Sequence, residues 1–443
     1  MRIAFRAAAC RLILAIATVT AALAAPAQSA EPRNLEVLGT WYRLALELVR
    51  HTPTYSPPVA SRAFAYLGVT AYETVASGRD GFATLAGQLN GLTPPPVREP
   101  GRDYDDAMAL QASVSLLMES LFANTGPTGQ RAIDAIARKL DAVARAGVDP
   151  DIADRSTAYG QALGEHMLAW AAQDGGAVVE NMGFPFRYEL KPGPEHWVPT
   201  STIGQQQVPL LPDWGRNRTF AMPDGATCGL PPPPAYSEEP GSSFFIEARE
   251  VYDVSLSLTE DQEAIARFWS DDPMLTPTPP GHWLAIALQV LGEKEATLEM
   301  RVDTLARIGI GLADAFIGCW HDKYKYDLVR PLTYIRRVID PAWQAILITP
   351  PFPEYPSGHS TQSGAAAEVL TNLFGADYAF EDRTHDDDGL PARKFDSFWH
   401  AAEEAGISRL YGGIHYRAAI ELGLDQGKCI AAHTNALVTR ARP

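Results

Sequence analysis

Cysteine is scarce in this chain: four in 443 residues, at positions 10, 228, 319 and 429. No CxxC pair exists, so a zinc-ribbon framework and a disulfide-stapled mini-domain are both excluded. With Cys10 inside the first thirty residues, the other three allow one intramolecular bridge at most, and the pairing weighed is Cys319 with Cys429. Long apolar runs are missing after the first thirty residues, so no membrane span is expected. Positive charge is in short supply: 37 Lys and Arg face 53 Asp and Glu, a net charge of −16 scattered along the chain. That balance argues against nucleic acid or an anionic membrane as a partner. Strand-like alternation is rare too, which leaves little room for sheet.

What is present begins with a leader. MRIAFRAAACRLILAIATVTAALAAPAQSAE carries arginines, then a short apolar core, then small residues. This is the pattern of an export signal over residues 1–30, with cleavage after Ala24, Ala27 or Ala30, so the protein is expected to be exported, periplasmic or secreted. The remaining length of about 410 residues fits two domains, or one large domain with two cores. Over residues 31–175 apolar positions recur three and four apart, as in GQRAIDAIARKLDAVARAG at 129–147, which predicts helices. Residues 176–241 are rich in Pro, Gly and Trp without helical period, and read as a connector able to cover a cleft. Helical pattern resumes over 242–443, where Ser257 or Thr259 offers a start for SLTEDQEAIARFW. The expected fold class is all-α, as helical bundles with two four-helix-bundle-like cores.

Three short patterns near the C-terminus carry chemistry. Lys323 and Arg330 stand seven residues apart, close to two helical turns, with Pro331 ending or kinking the helix beyond them. Pro356-Ser357-Gly358-His359 sits where a buried helix is about to begin. Unpaired N–H groups there suit an oxyanion, Gly358 lets the backbone approach it, and Ser357 donates or caps. Ser408-Arg409 precedes His415 across Gly412-Gly413, a break that lets the two side chains converge from a loop and the following helix. Each pattern alone is weak, since a basic face, a capping turn and a core histidine would explain them. Together they offer three cations, two neutral donors and two imidazoles, a set suited to a tetrahedral oxyanion.

Taken in order, these motifs resemble the signature shared by vanadium-dependent haloperoxidases and the type 2 phosphatidic acid phosphatase family. The resemblance covers mainly residues 257–427. It implies vanadate held by Lys323, Arg330, Ser357, Gly358, Arg409 and His415 in the C-terminal bundle. His415 would be the metal ligand and His359 the acid–base group, with hydrogen peroxide and halide as reactants and Lys323 polarising the peroxide. The alternative it implies is a secreted acid phosphatase in which His415 attacks phosphorus. The phosphatase signature ends with an Asp four residues after that histidine, where this chain has Ala419; another acid would have to orient the ring. Trp320 and Phe352 resemble the halide-side aromatics of fungal chloroperoxidase. The stretch ARFWSDDPMLTPTPPGHW resembles a segment in which an Asp pairs with a motif arginine, Asp272 being the preferred match and Asp271 its rival. Iodide or bromide is the favoured halide. Oligomeric state is not legible. His166 and His196 read as structural, His385 in DRTHDDDGLPARK as solvated surface, and His321 as a neighbour able to tune the pocket.

Overall fold

The computed structural model describes residues 30–177, 188–201 and 208–440. The leader reading therefore lies outside the described residues, apart from Ala30, where the first helix starts. The architecture is all-α. Helices α1 (Ala30–Arg50), α2 (Pro57–Ala76), α3 (Asp106–Leu121), α4 (Pro127–Arg145) and α5 (Pro150–Ala171) form the N-terminal half. The C-terminal half runs α6 (Ser243–Ser255), α7 (Glu260–Phe268), α8 (Thr278–Glu293), α9 (Leu298–Tyr326), α10 (Pro331–Val338), α11 (Gly358–Phe374), α12 (Phe398–Tyr411) and α13 (Arg417–Asn435). The named strands among the described residues are β1 (Phe380–Asp382) and β2 (Arg393–Phe395), a short antiparallel pair. No helix among the described residues is long and apolar enough to cross a membrane.

Helix starts follow local chemistry. Thr259, one of the two candidates, caps α7 through a box with Gln262, each side chain taking the other's backbone N–H. Asp105, Asp149, Ser242, Thr297, Ser357 and Ser397 accept first-turn N–H groups in the same manner.

The two halves share one apolar core running from Val37 to Leu437. Its axis is α9, 29 residues long and buried along most of its length. Glycine brings α2 against it: a Cβ on Gly68 would stand 2.5 Å from the Leu305 carbonyl. Gly364 does the same for α11 and α13, where a Cβ would meet the Leu424 carbonyl at 2.5 Å. These close approaches fix the backbones on either side of the motifs.

Described stretches between α5 and α6 are tied to the helices. Asp314, on α9, accepts the N–H groups of Phe220, Ala221 and Met222. Leu210, Leu211 and Trp214 pack on Phe316, Ile317 and Trp320. Cys228 is bridged to Cys429 on α13, and Cys319 is a buried free thiol. This corrects the Cys319–Cys429 pairing. Cys319 points from α9 toward the Pro356 carbonyl, while the connector delivers Cys228 to α13.

Candidate active site

The first motif is not carried on one helical face. Helix α9 ends at Tyr326, Asp327 caps it with φ of 53°, and the chain runs extended into Arg330. Pro331 then opens α10 instead of ending α9, at the first-turn position where its missing N–H is harmless. The two cations converge all the same. Lys323 Nζ and the Arg330 guanidinium each lie 5.0 Å from the Phe352 ring centroid.

Ser357 caps α11, accepting the Ser360 N–H at 3.3 Å and keeping its own hydroxyl proton free to donate. A Cβ on Gly358 would look toward Trp320 and Lys323, at 3.7 and 3.9 Å, so this stretch of backbone faces the lysine stem. In the third motif the roles of helix and loop are the reverse of expectation. Arg409 lies on the last turn of α12, and His415 in the loop after Gly413, whose φ of 77° makes the turn.

The assembled groups are dry. Lys323, Arg330 and Ser357 have no exposed surface, and Arg409 and His415 almost none. His359, with a side chain 17% exposed, is the solvent-facing member. Burial pushes Lys323 down to about 7, and Arg330 and Arg409 down to about 10. His415 is held well below the usual histidine range by burial and then by Arg330, Lys323, Arg409 and His359. His359 is lowered by burial and Arg409, against which Asp271 pulls upward. Both rings are thus held neutral, and Arg409 acts on the two alike, as expected of groups that lie close together.

Hydrogen bonding separates the cations. Lys323 spends its three ammonium protons on the carbonyls of Pro353, Glu354 and Pro356, so its contribution is charge and loop anchoring. Arg330 donates from Nε to the Phe352 carbonyl at 3.0 Å and from Nη1 to the Ile414 carbonyl and His415 Nε2, at 2.8 and 3.1 Å. Its Nη2 is buried without a partner. Arg409 bonds Ser408 Oγ and the Trp269 and Ala266 carbonyls. Trp320 packs tilted against Phe352, with ring centroids 5.0 Å apart, and donates to the Leu210 carbonyl.

Neither candidate aspartate reaches a motif arginine within ion-pair distance. Asp272, the preferred match, is only partly buried. Asp271, with φ of 49°, turns its carboxylate inward instead. It lies 3.1 Å from His282 Nδ1, 3.6 Å from His385 Nε2 and 3.9 Å from His359 Nε2. His282 completes a buried chain to Asp382 at 2.9 Å. Burial opposes the charge on His282, but Asp271 and Asp382 outweigh it and lift the ring to about 10.

His385 is therefore not solvated surface. The turn at 386–388 tucks it against Phe268 and His282, and Asp388 holds its Nδ1 at 2.9 Å. His166 bonds the Thr93 carbonyl, whereas His196 faces Asp327 and pairs with Leu328 within the span of the first motif. His321 lies with its backbone against Gly215, where its ring acts on Asp322.

Sequence reasoning missed three participants. His282 stands in PPGHW with no spacing to a motif, and Asp382 lies in a strand far along the chain. Glu354 was the more visible: it is the sole acid between Asp340 and Glu368, inside the stiff PPFPEYP run. Its Oε1 lies 2.7 Å from His415 Nδ1.

Comparison with known proteins agrees with this geometry. A family model described as the VCPO second helical-bundle domain matches residues 303–442. The vanadium chloroperoxidase of Curvularia inaequalis is 26% identical over 217 residues, 35% of this chain and 36% of that protein. The vanadium-dependent bromoperoxidase of Ascophyllum nodosum is 37% identical over 98 residues, 19% of this chain and 18% of that protein. The chain thus spans about a third or less of the curated relatives it matches. Among solved structures, the crystal structure titled as the first bacterial vanadium-dependent iodoperoxidase superposes with a TM-score of 0.81 at 38% identity. That match covers 90% of this chain and 95% of the other. A holo-type bacterial vanadium-dependent chloroperoxidase shares the fold, with a TM-score of 0.67 at 16% identity over 87% and 92% of the two chains. With the motif side chains buried close together and an overlap of that extent, the chain belongs to the vanadium-dependent haloperoxidase family.

Proposed function

We propose that this protein holds vanadate and uses hydrogen peroxide to oxidise halide, iodide or bromide in preference, to the hypohalous acid. The observation that carries the reading is Arg330 Nη2, a fully buried donor with no partner, beside a neutral histidine whose Nε2 is a lone pair. An unpaired buried guanidinium nitrogen is costly unless an anion meets it. The residues therefore fit the group: Arg330, Arg409 and Lys323 supply charge, Ser357 and the Gly358 N–H neutral donors, and His415 Nε2 a ligand atom. When bound, vanadate would supply Lewis acidity toward peroxide.

The remaining work falls to the chain. His359 bonds the Trp269 backbone, and its Nε2 is left without a partner. Held neutral, that nitrogen takes the peroxide proton and later returns it. Trp320 and Phe352 form the apolar wall on the side where a halide would approach, which excludes water from a large, weakly hydrated anion. The preference for iodide is supported by the likeness to the iodoperoxidase structure. An extracytoplasmic location is supported by the opening segment and by the Cys228–Cys429 bridge.

A second reading has one observation in its favour. Glu354 supplies a carboxylate at His415 Nδ1, which a phosphatase using that ring as nucleophile also requires. One experiment separates the two. Iodide oxidation by peroxide should appear only on adding vanadate, and should exceed p-nitrophenyl phosphate hydrolysis by the vanadate-free protein. Hydrolysis without any vanadate-dependent oxidation would reverse the assignment.

A further inference from the structure

Both ring nitrogens of His415 are engaged, and the two contacts together fix where its proton sits. Arg330 Nη1 lies 3.1 Å from Nε2, and a guanidinium has donors only. Nε2 is therefore the acceptor, and the proton belongs to Nδ1. Glu354 Oε1 meets Nδ1 at 2.7 Å and takes the Tyr416 N–H at 2.9 Å as well. Glu354 has no exposed surface. Its own carbonyl is held by Lys323 Nζ at 3.0 Å, so the first motif anchors the backbone that presents this carboxylate.

We infer that Glu354 is a positioning residue of the oxyanion site, holding His415 as the Nδ1–H tautomer with its Nε2 lone pair turned toward the cavity. A ligand bonding through Nε2 then replaces one Arg330 N–H and moves no proton. Glu354 does this from a different part of the chain than the place where the phosphatase signature has its Asp. Ala419 occupies that position, and its carbonyl accepts the Ser357 N–H at 2.9 Å instead. The carboxylate enters from five residues before His359, on the loop that also carries Phe352 and Ser357. One stretch of chain thus sets an aromatic wall, a helix cap and the tautomer of a histidine 61 residues away. The vanadate reading supplies only the identity of the ligand; the tautomer is a property of the anion-free protein.

The test uses the full chain without anion, labelled with 15N-histidine, as wild type, Glu354→Gln and Glu354→Leu. Loss of the signal in His415→Asn assigns the ring. Wild type and Glu354→Gln should both show Nδ1–H, because glutamine keeps the acceptor oxygen. Glu354→Leu should lose that tautomer and bind vanadate about ten- to a hundredfold more weakly by calorimetry, the usual effect of removing a partner behind a metal-binding histidine. Glu354→Leu with an unchanged ring and wild-type vanadate affinity would overturn the inference, as would Glu354→Gln failing as badly as leucine. Should the leucine variant not fold, glutamine decides: Nδ1–H supports the acceptor role, and an Nε2–H ring with full affinity removes it. Wild type that binds no vanadate would sink the functional reading and leave the spectroscopic arm to judge Glu354 alone.

Discussion

The two histidines of the cavity are neutral for the same reason, burial among cations, yet they are held in different ways. His415 is gripped at both nitrogens, by Glu354 and Arg330, and has almost no exposed surface. His359 is fixed at one nitrogen only; its Nε2 makes no hydrogen bond and its side chain is 17% exposed. A ring fixed at both ends is suited to binding something that stays. A ring with one buried nitrogen left unpartnered is suited to moving protons. The contrast assigns ligand and acid–base roles without reference to sequence order, and it is open to direct attack.

The largest effect should come from the bare ring. His359→Ala is expected to lower kcat for iodide oxidation by about 10²–10⁴-fold, the usual contribution of a positioned acid–base group, while vanadate affinity stays near wild type. A variant that loses vanadate in parallel with kcat would merge the two roles. His415→Ala is the complementary change. Vanadate retention through gel filtration, read by elemental analysis, should fall by at least about a hundredfold, as for loss of a metal-bonding ligand together with its oriented partner. Equal retention in wild type and variant would remove the proposed bond.

A third change probes what stands behind His359. Asp271 is kept well below the carboxylate range because His282 and His385 overcome the burial that would raise it. His282 in turn needs both Asp271 and Asp382. Asp382→Ala should therefore destabilise the fold by about 3 kcal/mol, since it leaves a buried imidazolium short of one partner, measurable as a lowered urea midpoint. An unchanged midpoint would mean that the cluster is not charged.

Much of this was legible in the sequence, and the failures share a cause. Helix starts at Thr259 and Ser357 were readable because capping is a matter of three or four residues. The motif residues were readable because their types and order suffice to suggest an oxyanion. What was misread depended on where the backbone bends: Asp327 in the left-handed region took Arg330 off the α9 face, and Asp271 in the same region turned inward while Asp272 did not. His282, Asp382 and His385 meet only because α8, β1 and the following turn pack together, over separations of about a hundred residues. Nothing in local periodicity encodes such a meeting. Glu354 is the intermediate case, unmistakable as a lone acid in an apolar run yet without a partner until the fold supplies one.

The smallest expected effect concerns Lys323, whose burial pulls it to about 7. In the anion-free protein its charge is present below that pH and lost above it, whereas a bound dianion favours the protonated form. Binding above about 7 must therefore take up a proton, and affinity should fall by up to about tenfold per pH unit. Glu354, raised by burial to about 8, becomes negative over the next interval and pushes in the same direction. Sulfate serves as the probe because its own charge is constant across this range. Calorimetric titration from pH 6.5 to about 8.5 should show flat affinity at the acid end and decline beyond it. In Lys323→Arg the decline should start later, where Glu354 alone titrates, since an arginine keeps its proton throughout. A wild-type profile flat to the alkaline end would mean that the three backbone carbonyls hold Lys323 charged despite its burial and that Glu354 keeps one protonation state across the range.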